Sequence, residues 1–287
     1  MNAFEQTYVV PHGGRPPEPP ELPVGADQAP NWPAWYAPVG FLGAFAVTLV
    51  ISVIAGVIAA AAGADIEETP PGLVLVLTLF QALILCGTAI FLASRTRPPR
   101  AWHFGLRRAR FWPSVGWAAL GLGGFFLFVV LYAALVSPEG DQSVTEDLGA
   151  DESTLALVAA GFVVIVVAPV AEEFFFRGFF YRALRSRLGI VAAALIDGLV
   201  FGLIHFTGSE TLELLPILAA LGFMFCLVYE RTKTLYTVIG LHALNNSVAY
   251  GFEAESAAVS LVLGSIMLTA CMLGPRLFHA RRTAVHA

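Results

Sequence analysis

The chain has 287 residues, 57% of them hydrophobic and 13% charged, with a mean hydropathy of +0.74. Soluble domains run near half apolar and a quarter charged, so this composition excludes an ordinary water-soluble globular protein. A net charge of -5, from 16 Lys and Arg against 21 Asp and Glu, excludes a basic nucleic-acid-binding domain.

In chain order, residues 1–36 read as a disordered, proline-rich cytoplasmic tail. They hold Pro11, Pro16, Pro17, Pro19, Pro20, Pro23, Pro30 and Pro33, with Glu5, Glu18, Glu21 and Asp27 between them. Proline removes backbone donors and forbids sustained helix, and the segment lacks the basic start and early apolar core of a signal peptide. Trp32, Trp35 and Tyr36 then mark the membrane surface, where amphipathic rings prefer to sit. Residues 37–275 form one membrane domain. Apolar runs of spanning length fall at 37–63, 72–93, 112–136, 155–176, 190–206, 214–229, 234–251 and 256–274, which predicts an all-α polytopic protein of about eight transmembrane helices. Residues 276–287 are a basic cytoplasmic tail. Cys86, Cys226 and Cys271 lie inside apolar runs without metal-ligand spacing and read as small buried residues.

Loop charge tests this count independently. With alternating sides, every Lys and Arg falls on one face, from Arg15 through the clusters Arg95–Arg110 and Arg177–Arg187 to Arg231, Lys233, Arg276, Arg281 and Arg282. The other face collects Asp65, Glu67, Glu68, Glu139, Asp141, Glu146, Asp147, Asp151, Glu152, Glu210, Glu213, Glu253 and Glu255. The positive-inside rule then puts both termini in the cytoplasm of a multi-pass plasma-membrane protein.

A few ionisable groups break the pattern. The fourth span ends in Glu172, Glu173 and Arg177; the fifth carries Asp197 and His205; the seventh carries His242 and Asn246. Charged groups at mid-helix cost roughly 2.5–3.5 kcal/mol each on the lenient insertion scale, which implies mutual pairing or a functional site. If the fourth and fifth spans form a hairpin at Gly189, Glu173 and His205 lie equally far from the turn, about 24 Å along each helix. His242 and Asn246, four apart, share a helix face at similar depth. Three segments therefore converge on two carboxylates, two imidazoles and an amide. Asp197 is expected to pair with Arg177 or Arg182, and Phe174, Phe175, Phe176 and Phe201 to pack.

Two chemistries fit this set. A carboxylate acting as general base can activate a water held against an imidazole, with His242 and the Asn246 amide donating to the oxyanion formed by attack on a peptide carbonyl. Alternatively, Glu172 or Glu173 with His205 and His242 can bind zinc and leave a position for water. The residues alone leave both open, so the cofactor is zinc or none.

Glu172-Glu173-x-x-x-Arg177, Phe201-x-x-x-His205 and His242-x-x-x-Asn246 resemble the three motifs of the CPBP family, the CAAX prenyl proteases and bacteriocin-processing or immunity-type membrane proteins also called the Abi family. The resemblance covers roughly 155–250, within the fourth to seventh helices. It implies an intramembrane endopeptidase with a cytoplasm-facing site, in which Glu172 and His205 activate water, His242 and Asn246 stabilise the oxyanion, and Glu173 and Arg177 support them. It implies a peptide or lipidated protein substrate, membrane lipids as surroundings and no nucleic acid. The competing reading is a non-catalytic membrane immunity or scaffold protein whose polar cluster only holds helices together.

Overall fold

A computed structural model describes residues 32–64, 69–138 and 144–285, apart from the side chains of Glu210 and residues 277–285. The expected tail before Trp32 and the acidic residues Asp65, Glu67, Glu68, Glu139 and Asp141 lie outside the described residues. Among those described there are helices and no strands. The long helices are α1 (Tyr36–Ala61), α2 (Pro71–Ser94), α3 (Phe111–Val136), α4 (Thr154–Leu184), α5 (Ile190–Leu203), α6 (Leu215–Thr232), α7 (Leu235–Glu253) and α8 (Ala257–Val285). The protein is a polytopic all-α membrane protein. Among the described residues, six helices are long and apolar enough to cross a membrane: α1, α2, α3, α4, α6 and the Ala257–Arg276 part of α8. The other two depart from the expected eight spans. At 14 residues, α5 measures about 21 Å, short of a bilayer core of about 30 Å, and the continuous 19-residue α7 carries the polar His242, Asn245 and Asn246 among its apolar residues.

Local chemistry sets the helix limits. Pro71 occupies the first turn of α2, where its missing N–H costs nothing. The Ser153 hydroxyl caps α4 by accepting from Ala156 N at 3.2 Å, and the Thr234 hydroxyl caps α7 by accepting from Tyr236 N at 3.3 Å. Lys233, at φ 55°, ends α6 in the left-handed region.

Within α4 two stretches widen to π-helix, Val163–Val167 and Phe176–Phe180. The first has a cause in sequence. Ala168 N bonds Val163 O, five residues back, and the next donor along would be Pro169, which has none. The Val164 carbonyl is left without a backbone partner, and a side chain from α7 fills it, as described below.

The tightest packing is α5 against α6, and it uses Gly198-x-x-x-Gly202. A Cβ on Gly198 would sit 2.6 Å from Ala219 O, and one on Gly202 would sit 2.8 Å from Leu215 O. Only glycine lets these backbones touch, as in small-residue packing of membrane helices. The α7–α8 contact is also extensive and includes small polar residues, with Ser247 Oγ donating to Ser260 O at 2.7 Å.

Trp32 departs from its expected place at the membrane surface. It is 1% exposed and packs on Phe104 and Phe179, with ring centroids at 5.1 and 5.5 Å, while Trp35 is exposed. The indole joins the aromatic core of Phe175, Phe176, Phe179 and Phe180, with its Nε1 left without a hydrogen-bond partner among the described residues.

Candidate active site

The α5–α6 glycine contact places a backbone carbonyl where α4 needs one. Arg177, on the second π-stretch of α4, is fully buried. Its Nη1 donates to Glu173 Oε1 at 2.8 Å, its Nη2 donates to Gly222 O on α6 at 2.8 Å, and Nη2 lies 3.4 Å from Asp197 Oδ1 on α5. The guanidinium also sits over the rings of Phe201, Phe225 and Phe176 at 4.5, 5.1 and 5.6 Å. The cation thus ties three helices to one point. The expected Glu173–Arg177 pair is present, and Asp197 pairs with Arg177. A buried charge of this kind persists only because it is paired and hydrogen-bonded.

Glu173 is equally buried. Its Oε1 accepts from Arg177 and also meets His242 Nδ1 at 2.9 Å. A carboxylate paired to arginine is an acceptor, so Nδ1 of His242 carries the proton and Nε2 faces away from Glu173. His242 is 3% exposed and is boxed by Phe225 and Phe201, with ring centroids at 5.0 and 5.8 Å.

Glu172 is different. Its side chain is 18% exposed, and its Oε2 lies 3.9 Å from His242 Nε2. This oxygen is buried and has no hydrogen-bond partner in the protein. The separation is too long for a direct bond, but a small polar group off the line can lie about 2.8 Å from both atoms. Both glutamates keep one buried oxygen without a partner among the described residues, Glu172 Oε2 and Glu173 Oε2. They differ in setting: Glu173 is fully buried with its Oε1 shared between Arg177 and His242, whereas Glu172 is partly exposed and its open oxygen lies beside the His242 ring.

His205 is not inside the fifth helix as expected. The helix ends at Leu203, and His205 occupies the turn after it, half-buried. Its backbone N–H goes to Gly202 O at 3.1 Å, which leaves the Phe201 carbonyl as an orphan of the helix end. The His205 ring caps it, Nδ1 donating to Phe201 O at 2.7 Å, and rests against the Phe201 ring at 4.9 Å. Because a carbonyl only accepts, Nδ1 is the donor, and Nε2 is the ring nitrogen left for other contacts. Phe201 packs as expected, and it packs both imidazoles.

Asn246 Nδ2 donates to Val164 O at 3.0 Å, the carbonyl orphaned by the first π-stretch. Its Oδ1 accepts from Asn245 Nδ2 at 3.3 Å. One N–H of the amide remains for another acceptor.

A zinc reading needs at least three ligands at one point. Among the described residues no three His, Cys, Asp or Glu side chains are grouped to hold a metal ion. The Nδ1 bonds of His242 to Glu173 and of His205 to Phe201 O leave each Nε2 available, so what is missing is a third ligand at one point. The set as placed does not fit zinc, and no step below passes through a metal.

Residues 154–248, the stretch from the start of α4 through Asn246, match the family model described as "Type II CAAX prenyl endopeptidase Rce1-like". That stretch belongs to the Rce1-like family. The chain is also 26% identical over 204 residues to the putative membrane peptidase YdiL of Bacillus subtilis, covering 65% of this chain and 79% of the relative. It is 25% identical over 200 residues to the membrane-embedded CAAX protease MroQ of Staphylococcus aureus, covering 66% and 76%. No solved structure matches. Family and relatives together put the chain among membrane endopeptidases in general.

Sequence reasoning missed three parts of this site. Gly222 and Phe225 lie in the apolar run 214–229 and carry no polar signal of their own. Cys226, whose thiol donates to Asp197 Oδ1 at 3.1 Å, was read as a bland buried residue. The Gly198-x-x-x-Gly202 spacing opposite Gly222 was the available signal.

Proposed function

We propose that the chain is an intramembrane endopeptidase in which Glu172 is the general base. The observation that carries this reading is the unpartnered, buried Glu172 Oε2 beside His242 Nε2, against a Glu173 whose Oε1 is held by Arg177 and His242. Glu172, assisted by the free Nε2 of His205, takes a proton from water. The resulting hydroxide attacks the peptide carbonyl carbon. His242 Nε2, when protonated with Glu173 as its counter-ion, and the remaining Asn246 N–H donate to the oxyanion. As the intermediate collapses the C–N bond breaks, and the proton held by the base passes to the departing amine. Glu173, Arg177 and Asp197 are positioning residues that hold the His242 ring.

The substrate in this reading is a membrane-associated or lipidated peptide, following the family description and the MroQ name. Both termini face the cytoplasm, a reading supported by the one-sided distribution of Lys and Arg. The test is cleavage of reporter peptides with and without a farnesylated cysteine by membranes holding the wild-type chain, Glu172→Gln or His205→Ala. Loss of cleavage in folded variants supports the reading. Cleavage equal to wild type in both makes the cluster a structural tie and favours the scaffold alternative.

A further inference from the structure

A cavity of about 320 Å3 lies between the first half of α3, the first half of α7 and the last apolar turns of α8. Its walls are apolar, from Ala118 and Leu122 on α3, Gly240 and Leu244 on α7, and Leu268 on α8. Arg108 and Arg276 line the other end. Leu268 and Arg276 are eight residues apart, so the apolar part reaches about 12 Å inward along α8 from the basic end.

This space is separate from the polar cluster. The α7 residues that line it include Tyr236, Thr237, Gly240, Leu241 and Leu244 but not His242, which turns to Glu173 on α4. No residue of the proposed active site lines the cavity.

Arg276 is held at the basic end by neutral partners. Its guanidinium donates to Met272 O and, at 3.4 Å, to Ala109 O, and it lies 5.2 Å over the Phe111 ring. None of these carries charge, so a full positive charge stands where an apolar slot opens. An anion alone gains nothing from the slot. A neutral chain gains nothing from the arginine. A single molecule with an apolar tail and an anionic head uses both, and basic pockets between membrane helices are suited to anionic lipid headgroups.

We propose that this cavity binds one acyl chain of an anionic phospholipid, with the headgroup phosphate against Arg276 and Arg108. The site is independent of the protease reading, and its test reads binding. The full chain, purified in detergent, is titrated with dioleoyl phosphatidylglycerol or dioleoyl phosphatidylcholine and examined by native mass spectrometry and thermal unfolding. Wild type retains phosphatidylglycerol about tenfold more tightly than phosphatidylcholine and is stabilised by it, and inorganic phosphate has no effect. Arg276→Gln brings the two lipids level. Ala118→Phe and Gly240→Leu, which fill the slot from different helices, each abolish the preference, so one variant that misfolds leaves the other to decide. Equal retention of both lipids by wild type would overturn the proposal. So would an undiminished preference in a folded, cavity-filled variant, or equal stabilisation by phosphate alone.

Discussion

Helices α1 and α3 bury 6% of their apolar spans within the protein, whereas α4 and α6 bury 33% and 39%. The outer helices are apolar all round and turn Val53, Val57, Leu120 and Leu131 toward lipid. The inner helices spend their buried surface on rings and on a small set of charges, Glu173, Arg177 and Asp197, each fully enclosed. Lipid is as good a solvent as protein for leucine, so the outer shell gains little from exact packing. A buried ion has no such freedom. The inner helices must therefore be specified closely, and the glycines, π-stretches and orphan carbonyls are concentrated there.

This contrast can be broken by mutation, and the effects should fall off from the open carboxylate outward. Glu172→Gln removes the base while keeping the shape, and should lower cleavage of a reporter peptide by about 10²–10⁴-fold with an unchanged unfolding midpoint. Arg177→Met leaves Glu173 and Asp197 unpaired in the interior. It should cost about 3–5 kcal/mol, read as loss of folded protein in detergent. Gly198→Val forces a side chain against the α6 backbone, and should cost about 1–3 kcal/mol by overpacking in thermal unfolding. Asn246→Ala strands the Val164 carbonyl, and should cost a similar or smaller amount, about 1–3 kcal/mol, together with a fall in kcat. Val53→Ala, on the lipid face of α1, should stay within about 0.5 kcal/mol and leave cleavage intact. A large effect at Val53, or none at Gly198, would erase the distinction between shell and core.

The same contrast explains what the sequence makes legible. The shell is readable because its only requirement is an apolar run of spanning length, and α1, α2 and α3 fall where 37–63, 72–93 and 112–136 place them. The inner helices are readable where charge is conspicuous, as with Glu173, Arg177 and Asp197. They are not readable where geometry depends on a partner. The end of α5 before His205 is one case, because an apolar window cannot see the turn at Ile204 and His205, where His205 N bonds Gly202 O. The pairing of Asn246 with Val164 is another, because it needs both the π-stretch and Pro169. Helical rise could not rank Glu172 against Glu173, since one residue shifts depth by only about 1.5 Å. Their partners separate them.

The central claim is that the two adjacent glutamates have divided roles, with Glu172 reacting and Glu173 holding His242. The most direct measurement compares Glu172→Gln and Glu173→Gln in the same membranes, for reporter cleavage and for thermal unfolding. The account predicts that Glu172→Gln is folded as stably as wild type and inert, while Glu173→Gln is destabilised and loses activity along with folded protein. A stable, active Glu172→Gln would contradict it, as would a stably folded Glu173→Gln that alone has lost all cleavage.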